Sequence, residues 1–217
     1  MINVRGRWII ALLAMVAVPV WADCGFCGSG GEKKAQLQGH DHAHGEIGKP
    51  APDFALKDVD GKEYKLADFK DKVVVLEWTN YQCPVVNGYH KNKSMRNTLG
   101  KFEDKPVAWL AIDSSHFCAE KVDDIKKWSK EIDVEYPILL DAPGQVGHQY
   151  GAKTTPHMFV IDQKGVLAYS GALDDDPTGD KDNKRNYVEE AVTALLDGSA
   201  VATARTKPVG CSVKYKQ

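Results

Sequence analysis

The stretch VVVLEWTNYQCPVVNGYH, residues 73–90, decides the fold. Its first half is a β-branched apolar run interrupted only by Glu77, the pattern of a central strand buried on both faces. Its second half turns at Cys83-Pro84. Proline suits the first turn of a helix, and Val86, Tyr89, Met95 and Leu99 then supply an uneven apolar face as far as about Gly100. Cys83 therefore falls at a strand-to-helix junction. Unpaired backbone N–H groups and the helix dipole favour an anion there, which lowers a thiol pKa. A reactive thiol is expected at this place rather than a small core residue. Redox sites of this kind usually carry a second cysteine three residues on; here that residue is Val86.

Glu77 lies inside the strand, where an unpartnered carboxylate is costly. Two readings stay open for it. It is a sheet-end acid reaching water, or a buried carboxyl with a raised pKa that moves protons to and from a nearby thiol.

Further along, PVAWLAIDSS (106–115) reads as a second buried strand. AEKVDDIKKWSKEI (119–132) reads as an amphipathic helix with Val122, Ile125, Trp128 and Ile132 near one face. YPILLD gives a third strand, and HMFVID and LAYSG give two more around a turn at Lys164-Gly165. NYVEEAVTALLDG closes the domain as a helix stopped at Gly198. In KTTPHMFVID, Pro156 cannot donate to a sheet ladder, so it marks a strand start or a special turn. A cis bond after Thr155 would bring that residue's backbone to a neighbouring loop. His157 reads as an ordinary core or surface histidine. The order of elements argues for an α/β fold with a mixed central sheet flanked by helices, over residues 47–198. A mildly basic tail, 199–217, follows and carries Cys211. The acidic DDDPTGDKD (174–182) lacks the calcium-loop pattern and reads as a solvated loop.

The N-terminus is a separate matter. Arg5 and Arg7 precede an apolar run from Trp8 to Val18, and Val20 and Ala22 suit a signal-peptidase site. Residues 1–22 therefore read as a signal peptide, too short to span a bilayer, with no stable membrane span left after cleavage. Removing Arg5 and Arg7 with no acid takes the formal charge from −2 to −4. The product is expected in the periplasm or outside the cell, where disulfides persist. Residues 23–46 form a Gly-rich polar arm, read as flexible. It carries Cys24 and Cys27 as CxxC, then His40, His42 and His44 in alternation. The arm reads either as a disulfide or redox pair beside a solvated histidine tract, or as a zinc or copper site. The sequence has five cysteines, an odd number, so at least one is free or pairs outside the chain. The pI near 6.4 and the lack of a long basic patch exclude an electrostatic case for nucleic acid.

Taken together, GKPAPDFALKDVDGKEYKLADFK, KVVVLEWT, YQCPVVNGYH, GAKTTPHMFVID, GVLAYSGALDD and the terminal GCSVKY resemble the redoxin branch of the thioredoxin superfamily. This is the alkyl hydroperoxide reductase/thiol-specific antioxidant group, here in an exported peroxiredoxin-like subgroup, and the likeness runs over about residues 47–217. The resemblance implies a thioredoxin-like fold and a thiol oxidoreductase that requires no cofactor. It implies that Cys83 is the nucleophile, that a cis Pro156 with Thr155 lies beside it, and that Glu77 matches the buried acid of thioredoxins. A CxxC dithiol cycle at Cys83 is excluded by Val86. Typical peroxiredoxins place a peroxide-positioning threonine three residues before the cysteine; here that residue is Asn80, and Thr79 stands one further back. The implied reactants are a peroxide, or a protein or small-molecule disulfide, with an external thiol as reductant. Resolving thiols to weigh are Cys118, 35 residues on, which otherwise reads as a buried core thiol, Cys211 on a tail long enough to fold back, and the Cys24/Cys27 arm. Cys211 reads first as an anchor for the tail and second as a resolving thiol. Two other classes stay open: a zinc- or copper-binding module built on the arm, and a partner-binding redoxin without catalysis.

Overall fold

The computed structural model describes residues 45–181 and 183–216. The chain enters through a hairpin of β1 (Ala55–Asp58) and β2 (Glu63–Lys65). Asp58 shapes the turn by accepting from the N–H groups of Asp60 and Lys62 at 2.8 and 2.9 Å, and Gly61 supplies the positive φ of +85°. Then follow β3 (Val73–Trp78), α1 (Pro84–Lys91), α2 (Ser94–Gly100), β4 (Val107–Asp113) and α3 (Val122–Glu131). After these come β5 (Ile138–Leu140), α4 (Gln145–Tyr150), β6 (Thr154–Thr155), β7 (His157–Ile161), β8 (Leu167–Gly171), α5 (Tyr187–Leu196) and β9 (Cys211–Ser212).

Seven strands form one sheet in the order β2-β1-β5-β4-β3-β7-β8. β3 pairs in parallel with β4 and antiparallel with β7, and β4 pairs in parallel with β5. The sheet is the mixed α/β arrangement expected of a thioredoxin-like fold. All six residues of β3 are buried, as its near-continuous apolar run requires. Alternation along the strand splits them between two cores. Val74, Leu76 and Trp78 meet Leu110, Ile112 and Phe159 on one face. Val73 and Val75 meet Tyr89, Met95, Val188 and Val192 on the other. Each such buried aliphatic side chain contributes roughly 1.5–3 kcal/mol relative to exposure. Trp78 packs edge-on to Phe159 at 5.0 Å between centroids and donates its indole N–H to Ser114 Oγ at 3.0 Å, so its one polar atom is satisfied.

Three expectations change. The single helix read from 84 to about 100 is two, because Lys93 takes a left-handed conformation (φ 59°) and Asn92 Oδ1 accepts from Ser94 N at 3.0 Å to start the second. The acidic loop is not merely solvated. Asp174 is buried and accepts from Tyr89 OH at 2.7 Å, while Asp176 accepts from the backbone N–H groups of Gly179, Asp180 and Lys181. Finally, the domain does not end at 198. Residues beyond it fold back along the molecule: Thr206 N bonds Ser170 O, Val213 N bonds Lys153 O, and Lys214 O accepts from His116 N. Val213 joins the core and Tyr215 packs against it, donating to Ala152 O at 2.8 Å. The tail closes on a second, two-stranded sheet in which β9 pairs antiparallel with β6.

Candidate active site

β3 delivers the chain to a tight turn before α1. Asn80 builds that turn. Its carbonyl accepts from Cys83 N at 3.0 Å, its Oδ1 accepts from Gln82 N at 2.7 Å, and its Nδ2 donates to Ser115 Oγ at 2.6 Å. Ser115 is held in turn by its own N–H, which donates to Asp113 Oδ1 at 2.8 Å. Cys83 then sits as the N-cap of α1, with Pro84 in the first turn. Its side chain is only 2% exposed.

The Thr155–Pro156 peptide is cis, and the Cys83 thiol donates to Thr155 O at 2.9 Å. Thr155 pairs with Cys211 across the β6–β9 ladder, so the tail lies directly beside the sulfur. Gly210 makes that approach sterically feasible. A Cβ there would stand 2.1 Å from Thr155 O and 2.6 Å from its carbonyl carbon, closer than any side chain is tolerated. Asn80, Gln82, Cys83, Thr155, Cys211, Ser212 and Lys214 enclose a small pocket of about 80 Å3.

The electrostatics divide the cysteines. Burial pushes the Cys83 thiol up, but the Thr155 side chain, the backbone N–H groups of Val86 and Cys211, and the Cys211 thiol outweigh it and hold the pKa below the ordinary thiol value. Cys211 moves the other way. Its hydrogen bond to Cys83 is the largest cause, followed by burial and the Cys83 charge, against a lowering by Lys214. The neighbouring thiols thus shift in opposite directions, Cys83 down and Cys211 up. Cys118 is different. It belongs to the same apolar cluster as Cys83 and Val86, but it is wholly buried and donates to Asp113 O at 3.3 Å. Burial first, then the charges of Asp113 and Asp141, push it up to about 12. Its surroundings thus disfavour the thiolate, and of the two readings of Cys118 the buried core thiol is the one its burial matches.

Two further expectations are corrected. Glu77 is completely buried, yet its carboxyl lies below the usual range rather than above it. Burial pushes it up; His90, Tyr136 and Trp109 more than offset this. Tyr136 OH and Trp109 Nε1 donate to Glu77 Oε2 at 2.6 and 3.3 Å, and His90 Nε2 stands 3.6 Å from Oε1. Glu77 is therefore fixed as an anion among these three, and a raised-pKa proton shuttle does not describe it. Thr79 is buried with its hydroxyl unpartnered among the described residues, and it does not line the pocket; Asn80 does. His157 is a core residue, accepting from Lys153 N at 3.3 Å and meeting Ser170 Oγ at 3.1 Å. Burial, with Lys153, lowers it to about 4.

Asn80 was legible only as the residue standing where a threonine was anticipated. Gly210 and Lys214 carried no local signal. Cys24, Cys27, His40, His42 and His44 lie outside the described residues. Among the described residues no three side chains converge as metal ligands, and no helix is long and apolar enough to cross a membrane.

An N-capping thiol held below its ordinary pKa, beside a cis-proline on a mixed sheet of this order, defines a thiol oxidoreductase of the thioredoxin superfamily. Residues 47–170 match the model of the AhpC/TSA family, more than half of the chain, and the protein belongs to that family. A curated relative is the thiol-disulfide oxidoreductase ResA of Bacillus thuringiensis subsp. konkukian (strain 97-27), 32% identical over 123 residues that cover 56% of this chain and 67% of the relative. Two solved structures resemble it over 79% of its length at 28% identity. One is a hypothetical protein of Sinorhizobium meliloti 1021, 95% covered, with a TM-score of 0.71. The other is an uncharacterized conserved protein of Geobacillus kaustophilus, 93% covered, with a TM-score of 0.67.

Proposed function

We propose that the protein is an exported thiol–disulfide oxidoreductase in which Cys83 attacks and Cys211 resolves. The observation that carries this reading is the placement of both cysteines at one small pocket, with Cys211 paired across the ladder to the Thr155 whose carbonyl meets Cys83. Cys83 thiolate attacks a sulfur of the substrate disulfide, forming a mixed disulfide and releasing the first substrate thiol. Cys211 then loses its proton, attacks Cys83 Sγ and releases the second substrate thiol, leaving Cys83 and Cys211 joined. Consuming the Cys83 thiolate removes the main reason Cys211 holds its proton, so the second step is enabled by the first. The pair does the work of a CxxC motif from two distant segments. An external thiol closes the cycle. Export rests on the cleavable N-terminal segment, and disulfide chemistry is the kind named for the ResA relative.

A second reading is favoured by one feature. The pocket is about 80 Å3 and Cys83 is 2% exposed, which suits a small peroxide. There Cys83 would become a sulfenic acid, and Cys211 would displace water from it. The test compares wild type with Cys83→Ser and Cys211→Ser on a small aromatic disulfide and on hydrogen peroxide. Consumption of each substrate requires Cys83, and formation of an intrachain disulfide requires both residues. Equal rates for wild type and Cys83→Ser would sink the reading, and the faster substrate in wild type selects between the two chemistries.

A further inference from the structure

The pocket beside Cys83 is polar and carries one sign of charge. Asn80, Gln82, Thr155 and Ser212 line it with amides and hydroxyls, Lys214 adds an ammonium, and no Asp or Glu lines it among the described residues. The whole chain is net negative, so a positive lining is a local departure. The backbone puts Lys214 there. Its carbonyl accepts from His116 N at 2.8 Å, and Val213 N donates to Lys153 O at 3.1 Å. Alternation along this extended segment sends Val213 into the core and leaves Ser212 and Lys214 together on the exposed side. The ammonium donates to Ser212 Oγ at 3.2 Å, a neutral partner that does not cancel its charge.

Size sets a second limit. A pocket of about 80 Å3 takes a reacting sulfur and a few neighbouring atoms. Cys83 is almost fully enclosed, which suits a small molecule better than a folded protein. Whatever the entering sulfur carries next meets the exposed rim of Gln82, Ser212 and Lys214.

We propose that the pocket selects low-molecular-weight disulfides bearing a carboxylate within a few bonds of the sulfur, and that Lys214 determines this preference. The inference rests on the disulfide reading above and names its substrate class. The carboxylate accepts from the Lys214 ammonium while the adjoining sulfur meets Cys83. Cys83 thiolate attacks that sulfur. The new Cys83–substrate bond forms, the substrate S–S bond breaks, and the electron pair leaves on the second substrate sulfur, which takes a proton from water. Cys211, once deprotonated, attacks Cys83 Sγ and expels the retained half as a carboxylated thiolate. The substrate has gained two electrons, and the protein holds them as the lost pair of a Cys83–Cys211 disulfide. A disulfide bearing ammonium groups at the same distance meets Lys214 as a like charge, so the site discriminates by repulsion as well as attraction.

The test uses the reduced protein and two probes of similar size, the dianion 3,3′-dithiodipropionate and the dication cystamine. Lys214 also favours the Cys211 anion, so the measurement is confined to the first attack. Loss of the free Cys83 thiol is followed by rapid acid quench and mass spectrometry. The ratio of the two rates is divided by the ratio shown by 2-mercaptoethanol, which removes the intrinsic reactivity of the probes. The wild type is expected to prefer the dianion about tenfold after this correction, since attraction of one probe and repulsion of the other each contribute a few-fold near a solvated ammonium. Lys214→Met should bring the corrected ratio close to unity, Lys214→Glu should invert it, and Lys214→Arg should keep it. High salt should flatten the wild-type preference. No preference in the wild type, or one that survives in Lys214→Met, overturns this inference alone. Loss of the Cys83 thiol to neither probe would sink the underlying disulfide reading, and this inference with it.

Discussion

Two segments each bring a second cysteine into the neighbourhood of Cys83: the turn after β4, with Cys118, and the C-terminal strand β9, with Cys211. Cys118 is fixed inside the apolar cluster, and burial with two nearby carboxylates pushes it up to about 12. Asp113, beside it, is likewise pushed up to about 6, mainly by burial. That region penalises negative charge. Around Cys211 the cost is lower: the residue is only partly buried, Lys214 favours its anion, and the hydrogen bond with Cys83 is the main cause that keeps its proton on. Proximity in the core thus says little about which thiol reacts. What matters is whether the surroundings tolerate the charge at the moment the proton must leave.

The sharpest way to break this contrast is to remove each cysteine separately. Cys83→Ser is expected to abolish substrate consumption, by at least about 10³-fold, as removal of a nucleophile does. Cys211→Ser is expected to leave the first attack intact but to halt the cycle. Mass spectrometry should then find Cys83 as a persistent mixed disulfide or as an over-oxidised acid. Cys118→Ser should turn over at close to the wild-type rate and still form the Cys83–Cys211 disulfide. Arrest by Cys118→Ser, with an intact fold by circular dichroism, would reverse the assignment of the two segments.

A milder break leaves every thiol in place. Gly210→Ala inserts a Cβ 2.1 Å from Thr155 O, so β9 must shift away from the peptide that meets Cys83. Forced overpacking of this kind costs typically about 1–3 kcal/mol. Two of the groups that lower the Cys83 pKa belong to Cys211 and would retreat with the strand. The expected result is a rise in the pH midpoint for Cys83 alkylation by iodoacetamide and intrachain disulfide formation about tenfold slower. An unchanged midpoint would mean that Thr155 and the α1 N-terminus tune Cys83 without the tail.

These tests concern contacts that a linear reading reaches unequally. Cys83-Pro84 after an apolar run, and Thr155-Pro156 before another, are local patterns, and each lands where its neighbours in sequence send it. Glu77 was legible as a buried acid in a strand. Its partners were not, because His90, Tyr136 and Trp109 come from a helix, the segment before β5 and strand β4. The tail was the hardest part to read. It has no helical or alternating periodicity, and its hold on the domain is a set of single backbone bonds to Ser170, Lys153 and His116. Gly210 had no local reason to be glycine; the reason is Thr155 O, 55 residues away. Cys211 looked like an anchor for the same cause: nothing in its own segment points to Cys83.

The smallest effect probes the charge-hostile side of the contrast through Asp113. Its folded pKa, about 6, lies above the ordinary 3.8, so the folded protein binds a proton there more tightly than the unfolded chain. Stability from this group is therefore complete below about pH 4 and is lost as pH rises through 6. A shift of about two units corresponds to roughly 3 kcal/mol, and an amide replacement recovers less because its NH2 needs a partner in a buried site. Asp113→Asn keeps an oxygen to accept from Ser115 N, so the bracing of Asn80 survives. It is expected to stabilise the fold by about 2 kcal/mol at pH 7, with no gain below pH 4. His157, on the Cys211 side, runs oppositely. Its folded pKa of about 4 lies below the ordinary 6.5, so stability from it rises with pH across that interval. In wild type the two trends offset each other between about pH 4 and 6, and Asp113→Asn leaves the rise from His157 exposed. Urea denaturation of both proteins at several pH values measures it. A gain that stays constant down to pH 4 would show that Asp113 does not carry the buried charge, and the contrast between the two regions would then rest on Cys118 alone.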